Sequence, residues 1–392
     1  MTAPRVVDGV IDLRAWDFEG QGPVELNGDW RFYWRRFIPP AEFASRGAAP
    51  LESGTPATML VPGRWNGRTI DGNILGGDGF ATYRLRILLD PERLRQAAGD
   101  SIYAFRLRRM YTAYRLFLNG AEIVQVGQIG EAAAAAVPRY RTVLRPVVVS
   151  EAELDLVLHI SNYHHLRGGV PVAVVFGTEA NIRAEREARL AFDLFLIGGL
   201  LILGLYQLGL YVLSKVDRSP ILLGLFCLII ALRHFIDDER YVDDVFQNIP
   251  WHILHRMTYA TFATAVILGL EHIHRFFARE AAIWLTRCLQ SVAAAFLAVA
   301  VVATPRTYVA GSIALEITAV LSGIYMIAVV GVALYRRRNE SLLFGLSLLC
   351  LVPGVIYKIL YDRGHWSGVD LLPLGLFGFV FGQTLAVSKR FS

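Results

Sequence analysis

Two kinds of hydrophobic pattern divide the chain near residue 189. Up to that point, short apolar or alternating runs are separated by Gly, Pro, Asn and Asp. Such short runs are typical of the strands of a sandwich or barrel. Beyond it, apolar stretches continue for about 20 residues, the length that a helix needs to cross a bilayer. The pattern predicts an all-β domain followed by an all-α membrane domain.

The first pattern predicts strands at Trp30–Trp34, Thr58–Val61, Ala81–Leu89, Ser101–Leu107, Tyr114–Leu118, Ile123–Val126, Val143–Val149, Leu154–Ser161 and Val172–Phe176. Between two of these runs, Asn119-Gly120 supplies the two positive φ angles of a type I′ turn, so we expect a hairpin there. The alanine-rich segment 131–137 is predicted to be either a short helix or a loop.

The second pattern predicts seven membrane helices: Leu190–Leu213, Pro220–Ile236, Trp251–Phe277, Ala281–Thr304, Thr307–Tyr335, Ser341–Tyr361 and Leu371–Val387. Residues 178–189 carry Glu and Arg at helix-neighbour spacing and are predicted to form a helical connector. The expected organisation is therefore a ligand-binding β-sandwich over 1–177, the connector over 178–189, and a seven-helix domain over 190–392.

Basic residues in the short loops predict the orientation in the membrane, because Lys and Arg favour the cytoplasmic side. One side carries Lys215, Arg218, Arg275, Arg279, Arg336, Arg337, Arg338, Lys389 and Arg390; the other carries only Arg240, Arg306 and Arg363. The C-terminus is therefore predicted to be cytoplasmic and the β domain periplasmic. Residues 1–8 contain no apolar stretch of signal-peptide length, so we expect that a signal peptide has been removed or that the first span is a reverse anchor.

Composition excludes several classes of protein. The chain is 54% hydrophobic and only 19% charged, and its mean hydropathy is +0.42, which excludes a wholly soluble or a disordered protein. The first 189 residues contain 23 Arg, no Lys and 21 acidic residues. This near balance does not predict a nucleic-acid partner. All three cysteines lie in apolar segments, so no disulfide is expected in the β domain.

A set of motifs in the β domain carries a family resemblance. In order, these are Leu26-Asn-Gly-Asp-Trp30-Arg-Phe-Tyr-Trp34, Val61-Pro-Gly-Arg-Trp65, Gly79-Phe-Ala-Thr-Tyr83, Leu118-Asn-Gly, His159-Ile-Ser-Asn162 and Gly168-Gly169. Their order resembles the galactose-binding-like jelly roll of many glycoside hydrolases. It is also similar to the outer domain of bacterial seven-transmembrane receptors with diverse intracellular signalling modules.

The membrane half extends this resemblance through Gly198-Gly199-Leu-Leu-Ile-Leu-Gly-Leu-Tyr206 and the short turn Asp217-Arg-Ser-Pro. The resemblance implies a jelly-roll sensor in the bacterial inner membrane, with a coiled-coil linker and a kinase, cyclase or phosphatase output domain after the seventh helix. We do not expect residues 1–392 to include such an output domain or to form an enzyme. The resemblance also implies a homodimer.

One loop of the β domain gathers planar and hydrogen-bonding side chains suited to a small, carbohydrate-like ligand. The candidate ligand-binding residues are Tyr111, Asn162, Tyr163, His164, His165 and Arg167. Alternatively, Asn162 caps a turn. Likewise, Trp30, Trp34 and Trp65 are more commonly core residues than sugar platforms.

Ionisable residues in the spans are functional candidates because a charge inside a bilayer is costly. The candidate cluster is Arg233, His234, Asp237, Asp238, His252, His255, Glu316 and Lys358. We expect Glu316 to face the bundle interior, with Lys358 or Arg233 as its partner. His252, His255 and Tyr259 share a helix face by their spacing. The alternative is a water-exposed rim of paired residues.

These observations favour a signalling receptor that binds a small ligand outside and transmits to a cytoplasmic partner, with no cofactor. The alternative is a membrane-embedded, metal-dependent hydrolase with a carbohydrate-binding accessory domain, using His234, Asp238, His252 and His255 around a zinc-bound water. A retinal protein is excluded because the last predicted helix has no Lys before Lys389.

Overall fold

This computed structural model describes residues 3–46, 57–96, 102–214, 218–236, 242, 245–246, 249–338, 341–362 and 372–391. The chain divides into two compact units, Met1–Arg189 with Phe246–Trp251 and Leu190–Val245 with His252–Ser392. The first unit is rich in β-sheet and the second is helical.

The strands of the first unit are β1 (Val10–Asp12), β2 (Val24–Glu25), β3 (Gly28–Trp34), β4 (Ala57–Val61), β5 (Gly63–Arg64), β6 (Thr69–Ile70), β7 (Asn73–Ile74), β8 (Gly79–Leu88), β9 (Ile102–Leu107), β10 (Ala113–Leu118), β11 (Ala121–Val126), β12 (Val143–Val148), β13 (Glu153–Asn162), β14 (Gly169–Val170) and β15 (Val175–Thr178). Two short helices, α1 (Pro40–Arg46) and α2 (Pro91–Gln96), lie among them.

Two main sheets organise these strands. The first has the order β11-β10-β13-β8-β3-β4, with β1 paired in parallel to β8, and the second has the order β12-β9-β15-β2. At the centre of the first sheet, β13 pairs antiparallel with β8 from Glu153↔Leu88 to Asn162↔Gly79. This register places the end of β13, where the candidate loop begins, beside the start of β8.

One apolar core joins the two sheets. Leu85 and Leu156 of the first sheet share it with Phe105 and Phe176 of the second. Burying each such side chain contributes about 1.5–3 kcal/mol. Trp30 and Trp65 are completely buried in the same core, and Trp34 packs against it. The interpretation of the tryptophans as core residues is thus confirmed.

The predicted hairpin is confirmed. Asn119 and Gly120 have φ angles of 46° and 87°, and Leu118 pairs with Ala121 across the turn. By contrast, the segment 131–137 forms no helix. It is a turn closed by reciprocal backbone hydrogen bonds of 2.9 Å between Gln128 and Val137, so the alternative of a loop is correct.

The remaining described helices are α3 (Glu179–Ser214), α4 (Ser219–Ile236), α5 (Trp251–Phe276), α6 (Ile283–Val302), α7 (Pro305–Tyr335), α8 (Ser341–Asp362) and α9 (Leu372–Phe391). Of these, α3 to α7 are long and apolar enough to span a membrane, whereas α8 and α9 contain the shorter apolar segments Ser341–Gly354 and Leu374–Ser388. The core of the second unit surrounds Phe344 and draws on Cys227, Phe276, Val330 and Val380.

Candidate functional site

The loop after β13 is held together by one buried amide, that of Asn162. Its Nδ2 lies 2.7 Å from the carbonyl oxygen of Gly77, 2.8 Å from that of His165 and 3.0 Å from that of Arg167. Its Oδ1 accepts a hydrogen bond from the backbone N–H of His165 at 3.1 Å. Asn162 is completely buried, so it acts as the turn cap that the sequence allowed as an alternative.

Trp65 and its neighbour Asn66 also hold this loop and the adjacent Gly77 in place. The Trp65 indole donates to the Gly77 carbonyl at 3.1 Å. Asn66 donates to Leu166 O at 3.0 Å and accepts from Gly168 N at 2.8 Å. A Cβ on Gly168 would lie 2.2 Å from the indole, so this position requires glycine. Sequence reasoning missed Asn66 and Gly77, and the neighbouring Trp65 was the only signal for them.

A ring stack forms the inner wall of the loop. Tyr111 and His165 lie 4.3 Å apart, with an angle of 8° between their planes, and both are buried. Burial lowers the pKa of His165 from 6.5 to about 4, aided by the positive charges of Arg109, Arg167 and Arg64 and opposed by a backbone hydrogen bond with Arg167. The imidazole is therefore neutral at physiological pH.

The other three candidate residues of the loop are half-buried: Tyr163, His164 and Arg167. The Tyr163 hydroxyl donates to the carbonyl oxygen of Glu131. The six candidate residues thus come together in one place but divide into two groups. Tyr111, Asn162 and His165 form a buried frame, whereas Tyr163, His164 and Arg167 present an aromatic ring, an imidazole and a guanidinium, groups that can contact a polyol.

Two open grooves lie elsewhere in the β domain. One, of about 410 Å³, is lined by residues of β10, β12 and the segments that follow them, including Leu118 and Val148. The other, of about 430 Å³, is lined by residues 125–128, 137–139 and 141. Neither of these two grooves is lined by any of the six candidate residues.

The start of α3 is bound to the second sheet. Ile182 is completely buried in a cluster with Ala104 of β9 and Val175 of β15. Asn181 donates from Nδ2 to the carbonyl oxygen of Phe18 at 2.6 Å. These contacts hold the first turns of the helix against the sheet.

An ion pair continues this attachment one turn further along α3. The Nη1 atom of Arg106 in β9 lies 3.3 Å from Oε2 of Glu185. The Arg106 side chain is 5% exposed and the Glu185 side chain is 41% exposed. Because the guanidinium is buried, loss of the carboxylate would leave a charge without this partner inside the protein. The predicted connector is thus the first part of one uninterrupted 36-residue helix.

The candidate histidines of the membrane unit differ in burial. His255 is buried and its Nδ1 lies 2.6 Å from the Tyr308 hydroxyl, whereas His252 is exposed. His234 is half-buried, and within the described residues no group of three His, Cys, Asp or Glu side chains is placed to hold a metal.

Arg233 packs against α5. Its Nη1 donates to the Thr258 carbonyl at 2.5 Å, and its guanidinium lies 5.1 Å from the centre of the Phe262 ring. Arg233 is therefore attached to the neighbouring helix rather than to Glu316. Asp237, Asp238 and the side chain of Lys358 lie outside the described residues.

The expected orientation of Glu316 is wrong. Its side chain is exposed on α7 rather than turned into the bundle. Its polar contact within the described part of the chain is Ser312, whose Oγ donates to Oε1 at 3.3 Å. Its neighbours Ser312 and Leu315 are buried, so Glu316 lies at the edge of the packed side of the helix.

Together, a β-sheet domain and several apolar helices define a multi-pass membrane protein with an N-terminal β domain. The family described as 7TM diverse intracellular signalling matches residues 189–390, slightly more than half of the chain. The chain therefore belongs to this family of membrane signalling receptors. No curated protein matches it.

Solved structures with similarity to the chain include β-glucuronidases. One from an uncultured Clostridium sp. is 19% identical with a TM-score of 0.29, covering 40% of this chain and 29% of its own. One from Faecalibacterium prausnitzii is 14% identical with a TM-score of 0.29, covering 40% and 31%. A putative β-galactosidase from Bacteroides fragilis is 17% identical with a TM-score of 0.27, covering 39% and 22%. The chain spans less than a third of these proteins, and scores this low define neither fold nor function.

Proposed function

We propose that this protein is a transmembrane signalling receptor of the bacterial inner membrane. Its β domain is a periplasmic jelly roll that binds a small, carbohydrate-like ligand, and its C-terminus is cytoplasmic. The ligand changes the packing of a seven-helix bundle, which acts on a kinase, cyclase or phosphatase module. Family membership and the excess of Lys and Arg in one set of loops support this assignment.

The seven spans of this proposal are α3 to α9. Five of them meet the length and hydropathy expected of a membrane helix, and the apolar segments of α8 and α9 extend the set. An odd number of spans places the two ends of the chain on opposite sides of the membrane. The two main sheets of the first unit, antiparallel apart from the β1–β8 pair, support the jelly-roll assignment.

The observation that carries the proposal is the continuity of α3. Its 36 residues form a rod of about 54 Å at 1.5 Å per residue. The rod begins on the second sheet, where Ile182 and the Arg106–Glu185 pair hold it, and continues into the first apolar span. A ligand that alters the contact between the sheet and the rod changes which packing of the span is preferred. The free-energy shift between the two packings cannot exceed the difference in the ligand's binding free energy for them.

The test uses the full chain in lipid nanodiscs and a panel of glucose, galactose, glucuronic acid, N-acetylglucosamine and their β-linked disaccharides. Binding is read as protection of the amides of residues 163–169 from hydrogen exchange. Relay is read as a change in the distance between spin labels at two exposed helix-end positions, Leu213 of α3 and Tyr335 of α7. We expect at least one sugar to cause both effects.

A matched control removes the ion pair without leaving a buried charge. In the double variant Arg106→Met with Glu185→Met, we expect sugar binding to persist and the change in distance to disappear, because α3 loses a contact with the sheet. If no sugar protects the loop, the carbohydrate class is wrong. If sugar binds without any distance change in the unmodified protein, the relay is wrong.

A further inference from the structure

Glu316 stands alone on α7. Between Thr307 and Tyr335 it is the one charged residue in the sequence. It is the twelfth residue of the helix, about 16 Å from the helix start at 1.5 Å per residue, and thus well inside a hydrocarbon layer of about 30 Å. Its exposed position leaves Ser312 as its polar contact within the described residues.

The side chains that share the stripe with Glu316 are large and apolar. Ile313, Val320, Ile324 and Ile327 are 56%, 54%, 59% and 49% exposed, and their spacing of three and four residues aligns them on one side of the helix. Lipid covers such a surface well, but it cannot hydrogen-bond a carboxyl group. Ionisable residues in membrane helices normally face protein or water for this reason.

We propose that a second copy of this chain covers the stripe, with α7 packed against α7 around a two-fold axis along the membrane normal. In such an interface each residue near the axis meets its own counterpart. The two Glu316 side chains therefore lie at the same depth, where a protonated carboxyl of one copy donates a hydrogen bond to the carboxylate of the other. This complementarity gives the exposed carboxyl the partner that lipid does not provide.

A small residue on the stripe permits the close approach that such a contact needs. Gly323 follows Glu316 by seven residues, or about two turns, on the same side of α7, and a Cβ on it would have no heavy atom within 4 Å. Small residues allow membrane helices to pack closely, and hydrogen bonds between the helices then add to the packing. The inference depends on the membrane crossing of α7 and does not depend on the proposed function, so either can fail without the other.

The first test is disulfide cross-linking of the full chain in liposomes. Cys227, Cys288 and Cys350 are replaced by alanine, and one cysteine is introduced at Val320 of α7. The matched control is a cysteine at Ile202 of α3, which is 69% exposed. We expect Val320→Cys to form at least five times more cross-linked dimer than Ile202→Cys at the same protein-to-lipid ratio. Equal cross-linking, or cross-linking of Val320→Cys to a different membrane protein in native membranes, would overturn the proposal.

The second test measures the contribution of the carboxyl itself. Dimer formation is followed by energy transfer between labelled copies as the lipid is diluted. Because one interhelical hydrogen bond in a membrane contributes about 0.6–2 kcal/mol, we expect Glu316→Leu to raise the dissociation constant about 3- to 30-fold. Glu316→Gln, which can still donate and accept, is expected to stay within about 3-fold of the unmodified chain. A Leu variant that associates as well as the unmodified chain refutes the role of Glu316.

Discussion

Replacing Asn162 by alanine should loosen the loop that follows β13. The change removes the four hydrogen-bond contacts of the buried amide, with three carbonyl oxygens and one N–H. The –NH₂ group has only two hydrogens, so these are shared among the three carbonyl oxygens. At about 1 kcal/mol net for each bond, we expect a loss of about 3–4 kcal/mol. For a domain of this size that corresponds to a decrease in Tm of about 10 °C.

The measurement is hydrogen–deuterium exchange of the full chain in detergent, followed by mass spectrometry of peptides from β13 and from residues 163–169 during thermal unfolding. Asn162→Asp is the sharper variant, since it keeps the shape and the acceptor but turns a carboxylate towards three carbonyl oxygens. Tyr163→Phe is the matched control, because it removes one hydrogen bond from a half-buried neighbour. If Asn162→Ala exchanges and melts like the control, the amide does not hold the loop.

Three further predictions concern other buried groups. The pKa of His165 is about 4 in the folded state and 6.5 in the unfolded state, so the unfolded state binds more protons between these pH values. The contribution of neutral His165 to the stability of the β domain should therefore be lost as the pH falls from 6.5 to 4. The loss from this group reaches about 3 kcal/mol; a His165→Phe variant that shows the same acid profile would contradict this. Gly168→Ala should destabilise the domain by about 1–3 kcal/mol because the new Cβ clashes with the Trp65 indole. Gly76→Ala is the control: its Cβ would meet no heavy atom within 4 Å, so the melting temperature should not change. Similar losses of stability in both variants would refute the steric argument. In the membrane unit, Gln207 is completely buried and its side chain has no hydrogen-bond partner within the described residues, so Gln207→Leu should raise stability by about 1–2 kcal/mol. The same change at Gln383, which donates to Ser347 at 2.6 Å, should lower stability. The two variants are compared by thermal aggregation in detergent, and a destabilised Gln207→Leu would contradict the absence of a partner.

The strands and the hairpin were predictable because local signals agreed with tertiary packing. In the second half of β8, from Tyr83 to Leu88, alternating buried positions match the alternation of the sequence, and the Asn119-Gly120 turn depends on two residues alone. The two-residue strands β2, β5, β6, β7 and β14 were not predicted, since segments this short carry no periodicity. In addition, β5 and β14 pair only with each other, through positions as distant as Arg64↔Gly169.

The role of individual polar residues was harder to predict. The sequence placed Asn162 in a turn-forming segment, but its contact with Gly77 joins positions 85 residues apart, which no local pattern contains. For Glu316, the helix is apolar on all sides, so its hydrophobic periodicity does not indicate which face is packed. The general preference of ionisable residues for the bundle interior was then the only guide, and it failed.

The length of α7 has a consequence for the membrane in which the protein resides. From Tyr308 to Tyr335 the helix is almost entirely apolar, which amounts to about 42 Å, or about 12 Å more than an average hydrocarbon thickness. Tilting of the helix or local thickening of the bilayer takes up the excess. Thicker membranes relieve this mismatch and thinner ones increase it, so acyl-chain length becomes a variable that any measurement of this protein's conformational balance should control.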